Sequence, residues 1–171
     1  MTDILDVLQA QVGTGEGSGG VTKYGQWLDA QSPTTHVYAD ADWCAASLLY
    51  CIAQIPGGLD SIGGLHKDDA YVQNWHNRMK ALGRTSRTPK PRRLVFYNWA
   101  GTGPDDNHIG MLKSVSGNTL HVYEGNHNNQ FQLVTRTFDS QVVAFAEWWD
   151  FVPGTPTPAP VASDNDDWFI Q

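Results

Sequence analysis

The chain has 171 residues, 40% hydrophobic and 11% aromatic, enough for one globular domain with a sizeable core. Its formal net charge of −7 speaks against a nucleic-acid binder, which needs a basic face. No apolar run approaches the roughly 20 residues of a membrane helix. The acidic start, Met1-Thr2-Asp3-Ile4-Leu5-Asp6, lacks the basic and apolar regions of a secretory signal.

Apolar Ile4, Leu5, Val7, Leu8 and Val12 predict a helix over residues 3–12. The run Gly13-Thr14-Gly15-Glu16-Gly17-Ser18-Gly19-Gly20 ends it, and without GK[ST] or a preceding strand it is no phosphate loop. A short helix is expected over 23–29. Residues 43–54 are apolar nearly all round, the pattern of a buried helix, and Pro56-Gly57-Gly58 stops it. A further helix fits 67–82, closed by Gly83. The basic cluster Arg84, Arg87, Lys90, Arg92 and Arg93, interleaved with Thr, Ser and Pro, reads as a solvated loop.

The second half is rich in β-formers. Strands are predicted over 94–99, 108–115, 119–124, 131–138 and 142–149, separated by Gly, Asn, Asp and Ser. Helices followed by a run of strands indicate an α+β domain, with N-terminal helices packed on an antiparallel sheet. From Pro153 the composition becomes that of a polyproline-like linker. The expected organisation is a domain over 1–152, a linker over 153–163, and an acidic, aromatic tail over 164–171.

Two cysteines, Cys44 and Cys51, share the predicted buried helix. They would be about 10.5 Å apart along its axis, too far for a disulfide, which needs Cα atoms within about 7 Å. Asp42 is positioned to cap this helix, placing Cys44 in its first turn, where a thiolate is favoured and free N–H groups can receive an oxyanion. Cys51, two turns deeper, reads as an inert core thiol.

The imidazole that a cysteine nucleophile needs comes from the hairpin. If Ser116-Gly117-Asn118 is a three-residue loop, Val115 pairs with Thr119. His108 then falls opposite Asn126, and Gly110 opposite Glu124, all on one face. A two-residue loop would put His108 and Glu124 on opposite faces. Gly110 marks a close backbone approach, which would admit the Cys44 helix beside His108. Two ligand sets can be drawn for a metal: His36, Asp40 and Asp42; and His121, Glu124 and His127. Neither matches a recognised spacing, so neither metal nor cofactor is expected, with a structural calcium as the alternative.

Asp42-Trp43-Cys44-Ala45 with a second cysteine in the same helix, His108-Ile109-Gly110 and Glu124-Gly125-Asn126 resemble the CHAP family of cysteine- and histidine-dependent amidohydrolases and peptidases. That family belongs to the NlpC/P60 papain-like superfamily. Residues 13–27, with Glu16, Lys23, Tyr24 and Trp27, are similar to the lead-in of actinobacterial and actinophage members. Arg92-Arg93 stands where many relatives have Gly-Asp. The resemblance implies a papain-like fold. It implies Cys44 as nucleophile, His108 as base, and Glu124 and Asn126 as its orienting partners. Trp43, Tyr24 and Trp27 are the candidate substrate-binding aromatics.

The activity implied is cleavage of a peptidoglycan amide, either the muramoyl–L-alanine bond or a bond in the stem or cross-bridge. With no signal visible, the expectation is synthesis in the cytoplasm and delivery to the wall by phage lysis or as a virion or injection-particle component. Residues 164–171 would bind a partner protein of that particle. The alternatives are a non-catalytic structural or wall-binding protein on the same fold, and an intracellular thiol peptidase or acyltransferase.

Overall fold

The computed structural model describes residues 2–31, 38–66, 68–99 and 106–149. His36 and the linker and tail from Pro153 onward lie outside the described residues. Five α-helices precede the main strands among the described residues: α1 (Ile4–Gln9), α2 (Lys23–Gln31), α3 (Cys44–Ala53), α4 (Gly58–Ser61) and α5 (Val72–Ala81). Asp3 caps α1, accepting from the Leu5 N–H at 3.0 Å. The helix ends before Val12, which is 41% exposed, because the chain turns there so that Gly13 N–H can donate to Phe131 O.

The strands are β1 (Thr85–Ser86), β2 (Leu94–Tyr97), β3 (His108–Ser116), β4 (Thr119–His127), β5 (Gln130–Thr137) and β6 (Val142–Ala146). They form one antiparallel sheet in the order β1-β6-β2-β3-β4-β5. The α+β class predicted from the order of elements is therefore the architecture observed.

Both faces of the sheet are buried. One carries Phe96, Ile109, Met111, Tyr123 and Phe131 into the core beneath the helices. The other carries Val95, Tyr97, Leu112, Val122 and Phe145 into a smaller second core. Helix α3 lies at the centre of the larger core and packs on β3 and β4, which accounts for its lack of a polar face.

The hairpin corrects one expectation. Ser116 pairs with Thr119, so the loop has two residues, not three. Yet the far half of the ladder keeps the anticipated register, with Met111 opposite Tyr123. The reason is a bulge: Leu112 pairs with Val122 and Ser114 with His121, leaving Lys113 as one extra residue in β3. That residue cancels the short loop and returns His108 and Glu124 to a common face.

The basic cluster is solvated only in part. Arg87, Lys90 and Arg92 are exposed, as expected of a solvated loop, but Arg93 is not, and four of the five residues are bonded to other parts of the chain. Arg93 is buried, donates to Ser86 Oγ and Thr88 O at 2.7 Å each, and pairs with Glu147. Arg92 pairs with Asp3, and Arg84 donates to Ser61 O. Arg87 donates to Val143 O at 3.0 Å and lies over the Phe138 ring.

Candidate active site

Cys44 is the first residue of α3, and the residue before it is locked in place. Trp43 is 1% exposed, stacks on Tyr24 at 5.2 Å, and donates from Nε1 to Glu16 Oε1 at 2.8 Å. Asp42 does not cap the helix, since no side chain does so at this end. It accepts from Asn126 Nδ2 at 3.0 Å instead, tying the entry of α3 to the end of β4. Ser47 Oγ donates back to Cys44 O at 2.8 Å.

Gly125 brings α3 against the sheet. A Cβ there would stand 2.1 Å from Ser47 Oγ, 2.8 Å from Ser47 Cβ and 3.1 Å from Trp43 Cε3. Gly110 has a different role from the one expected of it. Its missing Cβ makes room for Val122 and Glu124 of the neighbouring strand, not for the helix. Asn126, at φ 58°, occupies the left-handed conformation that asparagine tolerates. It sits with Gly125 in a second bulge, the two residues opposing Phe131 alone.

The structure brings Cys44, His108 and Glu124 together. His108 opens β3, is 8% exposed, and hydrogen-bonds through Nε2 to Glu124 Oε2 at 2.9 Å, with the Cys44 side chain close enough to act on its charge. Its Nδ1 is thereby left for the thiol. The rings of Tyr97 and Trp99 flank the imidazole at 5.8 and 5.7 Å. Burial disfavours the imidazolium, but the neighbouring Cys44 and Glu124 outweigh it and raise His108 to about 9. Burial also opposes ionisation of Glu124. Hydrogen bonds from Arg136 and His108 overcome it and lower the carboxyl to about 2. Cys51 has no such neighbour, and burial pushes its thiol up to about 12.

Asn126 takes a place that the sequence reading did not assign: its amide holds Asp42 rather than the imidazole. Tyr24 and Trp43 are core residues with no surface for a substrate, which corrects their assignment as substrate-binding. Trp27 is half-buried and packs edge-on against Tyr50. Of the metal-ligand sets weighed, Glu124 is committed to His108 and Arg136, and no cluster of three His, Cys, Asp or Glu suited to a metal occurs among the described residues.

A cleft of about 630 Å³ opens over Cys44, walled by Asp42 and Tyr38 on one side and by Tyr71, Asn74, Asp106 and Asn107 on the other. Two of these walls were not anticipated. Tyr71 is 62% exposed on the rim. Asp106 is gripped by α5, its N–H donating to Gln73 Oε1 at 2.5 Å and its carboxylate pairing with His76. A polar pair thirty residues apart leaves no local trace in a sequence. Arg136 was missed for the same reason.

No family model matches the chain, and no curated protein does. Among solved structures it is similar to the crystal structure of Ly7917 and to that of Ly7917 with the hydrolyzing product of MDP. Each is 18% identical with a TM-score of 0.43, and they cover 83% and 84% of this chain. The matches cover 59% and 62% of those chains, so this chain spans less than two thirds of their length. A likeness of that degree carries no argument about what this protein does. No described helix is long and apolar enough to cross a membrane.

Proposed function

We propose that the protein is a thiol hydrolase of a CHAP-like, papain-like kind that cleaves an amide bond in peptidoglycan. The observation that carries this reading is an imidazole, His108, held by the buried carboxylate of Glu124 beside Cys44, which itself lines an open cleft. A buried structural cysteine has no use for an imidazole that is itself held by a buried carboxylate.

The chemistry follows from the geometry. With His108 raised to about 9, the ring is protonated at neutral pH, and an imidazolium beside Cys44 is the partner that a thiolate requires. Sγ attacks the amide carbonyl carbon. The first N–H groups of α3 precede the first intrahelical bond, Ser47 N–H to Trp43 O, and are available to the oxyanion. His108 passes its proton to the amide nitrogen as the C–N bond breaks, leaving a thioester on Cys44. Neutral His108 then takes a proton from water, which attacks the thioester and releases the acid and the thiol.

Peptidoglycan as substrate rests on the resemblance of the three motifs and on an open cleft of about 630 Å³ over Cys44. Action at the wall by way of a phage or particle belongs to the same reading. Its test is digestion of purified cell walls followed by mass spectrometry of the released muropeptides. New amine and carboxyl ends are expected with the wild type and none with Cys44→Ala. Soluble fragments from a folded Cys44→Ala protein would end the thiol mechanism, and intact walls with an alkylation-sensitive wild type would end the substrate assignment.

A further inference from the structure

We propose that Arg136 is a positioning residue for the Cys44–His108 pair, acting through Glu124. It keeps that carboxylate ionised and aimed at the ring, and so decides which imidazole nitrogen carries the proton. The inference rests on the thiol–imidazole pair proposed above but not on the identity of the substrate.

The Glu124 side chain has no exposed surface. A carboxyl so buried tends to neutralise unless a charge meets it. Arg136, from β5, meets it with a two-pronged fork: Nε donates to Oε1 at 2.9 Å and Nη2 to Oε2 at 2.5 Å. Both oxygens therefore act as acceptors, and the bond that Oε2 shares with His108 Nε2 at 2.9 Å has its proton on the nitrogen. In the neutral ring the free position on Nδ1 is then the one beside Cys44, and the proton it takes from the thiol makes the imidazolium that faces the thiolate. A protonated Glu124 would reverse this arrangement. It would donate to Nε2, and a neutral ring would carry its hydrogen on Nδ1, facing the thiol with a donor.

The fork is itself braced. The guanidinium lies 4.7 Å from the Trp99 ring centroid, and Trp99 also stacks on Tyr97 at 4.5 Å. The groups that face Glu124 come from four strands. They are Tyr97 of β2, His108 of β3, His127 of β4 with Nδ1 at 4.0 Å, and Arg136 of β5. His127 Nδ1 lies 3.2 Å from Arg136 Nη2, so this histidine serves as an acceptor and stays neutral while the fork is in place. Arg136 is the one permanent cation in that ring of groups, and it is 23% exposed in its side chain. Glu124 lies at about 2 with Arg136 present, and loss of the arginine leaves burial opposed by His108 alone.

The test is the rate of Cys44 alkylation by iodoacetamide in the full chain, followed by mass spectrometry across acid to mildly alkaline pH. Buried Cys51 serves as the internal reference. Arg136→Gln should lose Cys44 reactivity at a pH roughly 1–3 units higher than wild type. Arg136→Lys keeps the charge but not the fork, so it should hold the acid limb and lower the rate. In a Glu124→Gln background, Arg136→Gln should add nothing further. Coincident profiles for wild type and Arg136→Gln would overturn the proposal, as would an equal loss in the Glu124→Gln background. If Arg136→Gln does not fold, Arg136→Lys decides: an unmoved limb with a lower rate supports the role, and a wild-type profile refutes it. A wild-type Cys44 no faster than a free thiol would overturn the pair and this proposal together. Fast Cys44 labelling without wall cleavage would remove only the substrate reading.

Discussion

Gly125→Ala should disable the site without touching any of its polar groups. The new Cβ would stand 2.1 Å from Ser47 Oγ, 2.8 Å from Ser47 Cβ and 3.1 Å from Trp43 Cε3. Rotating the Ser47 hydroxyl away relieves only the first contact and breaks its bond to Cys44 O. The second contact is set by the helix backbone and falls about 1 Å short of an ordinary carbon–carbon separation. Trp43 cannot yield, because its ring is buried against Tyr24 and tied to Glu16. The first turn of α3 must therefore lift from β4 by roughly 1 Å, taking Cys44 from His108. Overpacking of this kind costs about 1–3 kcal/mol, and a displacement of 1 Å at a reacting atom costs on the order of 100-fold in rate. Denaturant unfolding reads the first quantity, and Cys44 alkylation with wall digestion reads the second. Ser47→Gly in the same chain removes both clashing atoms and should restore part of the rate, at about 1 kcal/mol of helix stability. A Gly125→Ala protein that unfolds and reacts like wild type would refute this account of how α3 is seated.

Cys51→Ala should keep the chemistry and cost roughly 1–2 kcal/mol in urea unfolding, since it removes a fully buried sulfur two turns below the site. Arg93→Met should lower stability by about 1–3 kcal/mol, because Ser86, Thr88 and Glu147 all lose a donor, while Lys90→Ala on the exposed side should stay within about 0.5 kcal/mol. Folding stability should also follow pH in two opposite limbs. His108 is raised from 6.5 to about 9, so its contribution is complete below about 6.5 and lost as pH rises through 9. Glu124 is lowered from 4.5 to about 2, so its contribution is complete above about 4.5 and lost as pH falls through 2. Cys44→Ala removes one of the two neighbours that raise His108 and should move the alkaline decline to lower pH in denaturant titrations.

Helix α3 and strands β3 and β4 were legible because their patterns are local: an all-apolar run ended by Pro-Gly-Gly, and β-rich stretches divided by turn residues. The chemistry-bearing residues were legible because Cys44 starts that helix and His108 starts its strand. The hairpin register came out correctly at the site for an incomplete reason. The two-residue loop and the Lys113 bulge cancel, and a bulge at a lysine has no signature in the residue order. The errors share one cause. Arg93, Asp42, Asn126 and Tyr24 were each interpreted from their neighbours in sequence, while their partners lie many residues away in Glu147, the β4 end, the α3 entry and the Trp43 ring. A charged or aromatic side chain shows its type in a sequence, but whether it faces water is decided by elements elsewhere in the chain.

The Gly-rich segment before α2 has a consequence for the order of assembly. Gly13 and Thr14 exchange backbone bonds with Phe131 at 2.9 and 2.7 Å, and Glu16 N–H reaches Asn129 O at 3.2 Å. Glu16 in turn holds the Trp43 ring that sets Cys44. A chain emerging from the ribosome exposes this glycine-rich stretch more than a hundred residues before the strand that receives it. Glu124 comes still later than the thiol and the imidazole, and the arginine beside it is later again. Cys44 therefore has an ordinary cysteine's surroundings through most of synthesis and gains its neighbours only with the closing of β4 and β5. Contacts of such long sequence separation make folding slow. Under the proposed thiol chemistry the same topology delays reactivity until the sheet beside Cys44 is nearly complete.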